Sequence, residues 1–342
     1  MNIIQNLLTL IFLLTCLGTS LASGLNDTLI ISGSADAYFR SNLNADNDPA
    51  RGTTLAPATA FAGLPGFALG MINVAGAYQS GKVGAVADIV VGPRGAEAVF
   101  GSPAPLNLIN QLYAYYQVTD KVKLTLGNFN TFLGYEVISP TDNFNYSTSY
   151  LFSYGPFSHT GFKADFDFGG GFTGMAGVFN PTDATDFNPT FDFVYGLRAG
   201  LERGKYSGAI NLLYDDAQGY IQTDMTFTCQ ATARLYFALN ASAAVDNFAG
   251  AAAYVQYALN DKLTAGVRGE WFNDRGVGAI GIGEKVFNFT ASLNYRVGNL
   301  TIIPEIRTDI LSVAGFVTEI TETVPQNDER LTSLLLAAVY SF

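Results

Sequence analysis

The sequence predicts an all-β protein, a 16-stranded antiparallel transmembrane β-barrel of the outer-membrane type with short turns on one rim and long loops on the other. Three observations predict it. Apolar residues recur at every second position over long runs. Tight turns alternate with long polar connections. After residue 23, no stretch approaches the ~18 unbroken apolar residues of a membrane helix.

Composition narrows the class. The 342-residue chain is 49% apolar and 14% charged, with 36 Gly, 18 Tyr and 26 Phe. That is too apolar for disorder, and the charged fraction is below the ~25% usual in soluble domains. Formal net charge is -11, and no Lys/Arg run occurs, so nucleic acid is not an expected partner. Two Cys and one His leave no Cys-based or multi-His metal site, and no cofactor is expected.

The elements follow in order. Leu7 to Leu17 is an apolar core followed by the small residues of TSLAS, the pattern of an export signal cleaved near Ala22 or Ser23, although MNIIQN carries no Lys or Arg. Residues 1–23 are therefore expected to be a signal peptide and 24–342 the barrel, in the bacterial outer membrane. Strand centres fall near Ala35, Asn73, Ala87, Tyr113, Leu126, Ala164, Ala176, Leu197, Ile210, Phe227, Ala241, Val255, Val267, Ala291, Glu305 and Leu336. The alternation is plainest in Phe287, Phe289, Ala291, Leu293, Tyr295 and Val297, interleaved with Asn288, Thr290, Ser292, Asn294 and Arg296. Successive strand side chains point to opposite faces, so one face is apolar and the other polar. Most runs span ten to fourteen residues, longer than the globular norm of about 5–6 and enough for a bilayer.

Seven tight turns join strands at SGK (80–82), TDK (119–121), GGG (169–171), RGK (203–205), TAR (232–234), NDK (260–262) and GN (298–299). The largest long connections lie at roughly 41–66, 93–106, 133–158, 274–283 and 313–328. Pro304 falls inside the fifteenth strand, and a residue with no N–H predicts a bulge or a shortened strand there.

The stretch FKADFDFGGGFTGMAGVF contains GGGFTG, a match to the glycine pattern of dinucleotide-binding loops, with Asp192 about 20 residues on. A phosphate cradle needs a helix after the glycines. Met175 to Asn180 instead alternates for six residues before Pro181, so the glycines read as a hairpin turn. Asp165 and Asp167 share one strand face with Lys163, which makes them charges of a lumen wall rather than an acid–base pair.

Single charges of both signs fall on the inward face of many strands. Facing lipid, an Arg or Lys would cost about 2–4 kcal/mol at the midplane; facing water it costs little. Candidate lumen and constriction residues are Glu136, Asp142, Lys163, Asp165, Asp167, Arg198, Arg268, Glu270, Glu305 and Arg307. The connection 133–158 is expected to fold inward and bring Glu136 and Asp142 toward Arg198, Arg268 and Arg307. No catalytic residue is expected; His159 reads as a packed histidine at a strand start, and Cys229 as a small apolar residue.

The motifs LGNFNTFLGYE (126–136) and NFNYSTSYLFSYGPFSHTGFK (143–163) resemble the outer-membrane family of β-barrel porins type 2, or OmpL-like. The matching features are Gly134 and Glu136 at a strand corner, the Tyr/Ser-rich run Tyr146 to Tyr150, and His159 to Gly161 leading the next strand; Phe132 stands where the family often has Pro. The resemblance implies an outer-membrane channel without naming a solute. The expected function is a water-filled porin passing small hydrophilic solutes and ions, with outer-membrane lipid as surroundings and a homo-oligomer as an open possibility. The alternatives are a surface or adhesion barrel whose loops bind partners, and a barrel enzyme using His159.

Overall fold

The computed structural model describes residues 27–342 except 49, 51, 55, 58–60, 217–218, 276–284 and 322–323. The signal-peptide expectation for 1–23 lies outside the described residues. In chain order the elements are β1 (Asp27–Asn42), β2 (Gly66–Ser80), β3 (Val83–Val91), α1 (Pro93–Ala98), β4 (Ile109–Thr119), β5 (Val122–Asn130), α2 (Tyr150–Tyr154), β6 (Ser158–Gly169) and β7 (Phe172–Phe179). There follow β8 (Val194–Arg203), β9 (Tyr206–Asp215), β10 (Tyr220–Gln230), β11 (Leu235–Ala244), β12 (Phe248–Asn260), β13 (Leu263–Asp274), β14 (Lys285–Val297) and β15 (Leu300–Leu311). The last three are β16 (Phe316–Thr321), β17 (Val324–Asp328) and β18 (Arg330–Ser341).

Sixteen of these strands, β1–β15 and β18, form one closed antiparallel barrel in which each strand pairs with its sequence neighbour, and β18 closes on β1 with Ala37 opposite Ala338. Closure leaves no unpaired sheet edge, which a strand protein in lipid requires. All seven tight turns lie where the sequence places them. In the GGG turn, Gly169, Gly170 and Gly171 have φ of 81°, 65° and 87°, a run of left-handed backbone that β-carbons would oppose.

The long-loop rim is richer than the sequence suggests. A further long connection, 180–193, joins β7 to β8, and β16–β17 form a hairpin inside the 313–328 connection. That hairpin extends the first loop, with Val317 N donating to Thr54 Oγ1 and Thr54 N to Val317 O. Pro304 corrects the expectation of a bulge or shortening. β15 runs unbroken for 12 residues, with Pro304 opposite Leu336 of β18. Toward β14 the register passes from Ser292 opposite Glu305 to Tyr295 opposite Ile302 with the same offset, so the missing N–H falls in a gap of one ladder.

The two faces of the wall are inverted relative to a soluble protein. On β14, Phe287 is 48% and Phe289 56% exposed, while Asn288 is 0% and Thr290 2%. An apolar belt of that extent belongs against lipid. The buried polar face lines a lumen that the chain itself partly fills.

Candidate functional site: a loop held inside the barrel

The filling element is the connection 131–157 between β5 and β6. Tyr146, Thr148 and Tyr150 are 0% exposed, Ser149 1% and Ser147 2%. This segment has no strand ladder, yet each buried peptide N–H and C=O needs a partner. The wall charges supply them. Glu305 accepts from Tyr146 N at 2.8 Å and Ser147 N at 3.1 Å. Glu270 accepts from Tyr150 N at 3.0 Å and Leu151 N at 2.8 Å. Arg268 donates to Ser147 O at 2.8 Å, and Arg307 to Thr148 O at 2.7 Å. Carboxylates take the N–H groups and guanidinium groups take the carbonyls, as their donor and acceptor inventories dictate.

The loop also fastens to itself and to the far wall. Glu136 meets Arg268 at 2.6 Å and accepts Ser149 N through its second oxygen at 2.6 Å. Arg307 is held by Asp309 at 2.9 Å. On the opposite side Asp224 accepts Gly134 N at 3.0 Å, and Arg198 donates to Phe132 O at 3.0 Å. Arg94, in α1, donates to Ile138 O and Tyr146 O. Tyr146 donates its hydroxyl in a short bond to Asp36. Burial raises that hydroxyl above the ordinary phenol range, so it remains a neutral donor.

Apolar contacts surround these fasteners. Tyr150 stacks on Phe272, and Tyr135 packs on Tyr254 with ring centres 4.5 Å apart. Loop residues join every apolar cluster of the described interior: Leu151, Ile138, Tyr146 and Leu133 each belong to a different one. Gly266 on β13 gives the Phe144 ring its space, since a β-carbon there would collide with the ring.

The remaining candidates lie elsewhere. Lys163 and Asp165 pair at 3.1 Å on β6, with Lys123 at 3.8 Å from the same carboxylate. Asp167 caps the GGG turn, accepting Gly169 N at 2.8 Å. Asp142 is exposed on the underside of the loop rather than beside the arginines, its N–H donating to Ser139 O. The expected opposition of acidic and basic walls is thus, for Glu136 and Arg268, direct contact. Reasoning from sequence missed Asp224 and Arg94. The parity of Met225 and Phe227 puts Asp224 inward and could have found it; Arg94 sits in the six-residue α1, too short for a period to be read.

His159 is 1% exposed, with Nε2 3.0 Å from Thr131 Oγ1 and its ring against Phe132 and Phe179. Among the described residues no carboxylate orients Nδ1, which has no hydrogen-bond partner there. Among the described residues no group of three or more His, Cys, Asp or Glu could hold a metal ion.

The barrel is similar to solved outer-membrane proteins at low identity. The outer membrane channel DcaP of Acinetobacter baumannii aligns with a TM-score of 0.59 at 12% identity, over 94% of this chain and 98% of that one. OmpF of Salmonella typhi, solved in complex with daunomycin, aligns at 0.61 and 12% identity, over 92% and 97%. OmpT of Vibrio cholerae, folded in vitro and in a trimer form, aligns at 0.56 and 11% identity, over 92% and 99%. These likenesses show the fold. No curated protein sequence matches the chain. The family match spans nearly the whole described barrel: over residues 28–342 the chain belongs to the family described as "Putative beta-barrel porin-2, OmpL-like".

Proposed function

We propose that this protein is an outer-membrane porin through which small hydrophilic solutes and ions diffuse passively, with the loop 131–157 setting the constriction. The observation that carries this is the loop itself. It enters the lumen and is held there by Arg268, Glu270, Glu305 and Arg307 of the wall, and by Glu136 of the loop itself. A barrel serving only as an anchor for outer loops needs no such fastening inside. On this reading the seven tight turns face the periplasm, the long loops face outward, and residues 1–23 are the export signal. The packing of His159 against Phe132 and Phe179, with Nε2 on Thr131, supports a structural role for it in a channel. Assembly as a homo-oligomer is supported by the trimer form of the Vibrio cholerae neighbour.

Reconstitution into planar bilayers tests the reading. Stepwise single-channel currents and a solute-size cutoff in liposome swelling are expected. A correctly folded barrel that carries no current and admits no solute refutes it.

A further inference from the structure

Beside the inner loop the lumen opens into a chamber of about 530 Å³, which reaches from the loop ends of β4 and β5 to the short-turn end of β18. Its wall is the inner face of β1–β5, its roof the loop segment 137–142, and Phe342 stands at its lower margin. A space of this size suits a small molecule rather than a bare ion, since ligand pockets run from about 300 to 1,000 Å³.

The chemistry of this wall is one-sided. Among the described residues two carboxylates, Asp88 and Asp142, line it and no Lys or Arg does. Asp88 is 6% exposed and is held by amides alone, from Asn73, from Asn110 at 2.7 Å and from Gln111 at 3.1 Å. Amide donors orient a carboxylate without cancelling its charge. Two more oxygens in the lining have no partner. The Ser34 hydroxyl belongs to a residue 2% exposed, and Asn130 Oδ1 is a buried acceptor with no donor. At the loop anchor above, by contrast, each of Glu136 and Asp309 meets an arginine. A chamber with net negative charge and oxygens free to accept attracts a positively charged donor of hydrogen bonds. A metal ion fits less well, because hard cations demand a close cage of six or more oxygens.

We infer that this chamber is a binding subsite for small organic ammonium ions, whose N–H donors meet Asp88, Asp142, Asn130 and Ser34. That such ions pass through rests on the porin reading; that they bind does not.

The test uses the folded full-length protein in detergent, titrated calorimetrically with 1,4-diaminobutane, glutamate, glucose and potassium chloride. Diaminobutane is expected to bind, and glutamate and glucose to give no heat of binding. Asp142→Asn, at an exposed loop position that the barrel does not need for folding, is expected to weaken binding about tenfold, and Asp88→Asn at least as much. Unchanged binding in Asp142→Asn overturns the subsite, as does equal binding of glutamate. Displacement of diaminobutane by potassium at equal concentration shows an inorganic cation site and also overturns it. In a parallel bilayer measurement, diaminobutane added on the short-turn side should reduce the open current, less so in Asp142→Asn. Binding in the calorimeter with no current from the barrel refutes the porin reading and leaves the subsite standing.

Discussion

On β13–β15, Arg268 is 1% exposed and Glu270, Glu305 and Arg307 are each 3% exposed; on β5–β6, the side chains of Lys123, Lys163 and Asp165 keep 42%, 20% and 29% of their surface in water. Both groups sit on the inward face of adjacent strands and mix both signs. The first group is buried because the loop 131–157 lies on it, and its charges are spent on that loop's peptide groups. The second faces open lumen. Burial is what separates a fastener from a wall charge. In a dry setting a lost partner leaves a charge or peptide group uncompensated, whereas in water solvent replaces it.

The most severe way to break the buried group is Arg268→Ala. It strips Glu136 of its cation and Ser147 O of its donor, while Thr148 O keeps only Arg307, and removing one partner of a buried pair costs about 3–5 kcal/mol. The loop should become cleavable by protease while the barrel stays folded, and single-channel conductance should rise. A loop that stays protected would make the anchor dispensable. Glu270→Gln is a milder cut. The amide keeps one acceptor oxygen where the carboxylate offered two and carries no charge, so one of Tyr150 N and Leu151 N loses its acceptor and the other keeps only a neutral bond. A loss of about 1.5–3 kcal/mol is expected, read as faster hydrogen exchange of those two amides.

The loop's hinge offers a titration. Asp183, in the connection 180–193, accepts Phe157 N at 2.8 Å and Ser158 N at 2.9 Å, both through Oδ1. Burial pushes its carboxyl up to about 6, against the lowering by those two N–H groups. A folded-state value above the ordinary one means that docking is strongest with the carboxyl protonated, fully so below about pH 4, and weakens as pH rises through about 6. Protonation at Oδ2 leaves both bonds to Oδ1 in place. Exchange of the Phe157 and Ser158 amides, corrected for its intrinsic pH dependence, should therefore be slower at pH 5 than at pH 7. Asp183→Asn should flatten that difference; an unaltered profile would assign the effect to another group.

The smallest effect sharpens the other side of the comparison. Asp165→Asn removes a carboxylate shared by Lys163 and Lys123 in water. Exposed pairs of this kind contribute about 0–1 kcal/mol, so unfolding should hardly move. Ion preference, measured as reversal potential in a salt gradient, should shift toward anions. A large loss of stability would mean that this group too is a fastener.

Much of the fold was legible in the residues. Asn288 and Phe287 declare their faces by parity alone, GGG and RGK declare their turns by glycines suited to left-handed backbone, and NDK declares its turn by length between two alternating runs. Even an inward path for 133–158 could be proposed from the sequence. The exact partners could not. Asp142, expected beside the arginines, lines the chamber below, while Asp224 and Arg94, unmarked in the sequence reading, hold the loop. Pro304 was legible as an interruption, but whether it would bend the strand depended on which neighbour its missing N–H faced.

The sequence by itself determined the barrel: the strand number, the order of turns and the side of the wall each residue occupies. Those are properties of a single pleated strand and the turn that follows it, and they need no distant partner. Only the tertiary structure decided that Glu136 meets Arg268 across 132 positions of chain, that Glu270 and Glu305 hold peptide N–H groups rather than face solute, and that Asp88 is left with amides alone. Those pairings depend on barrel closure and on the path of one loop through the interior. Closure sets which strands face each other across the lumen, and periodicity along a strand carries no record of that distance.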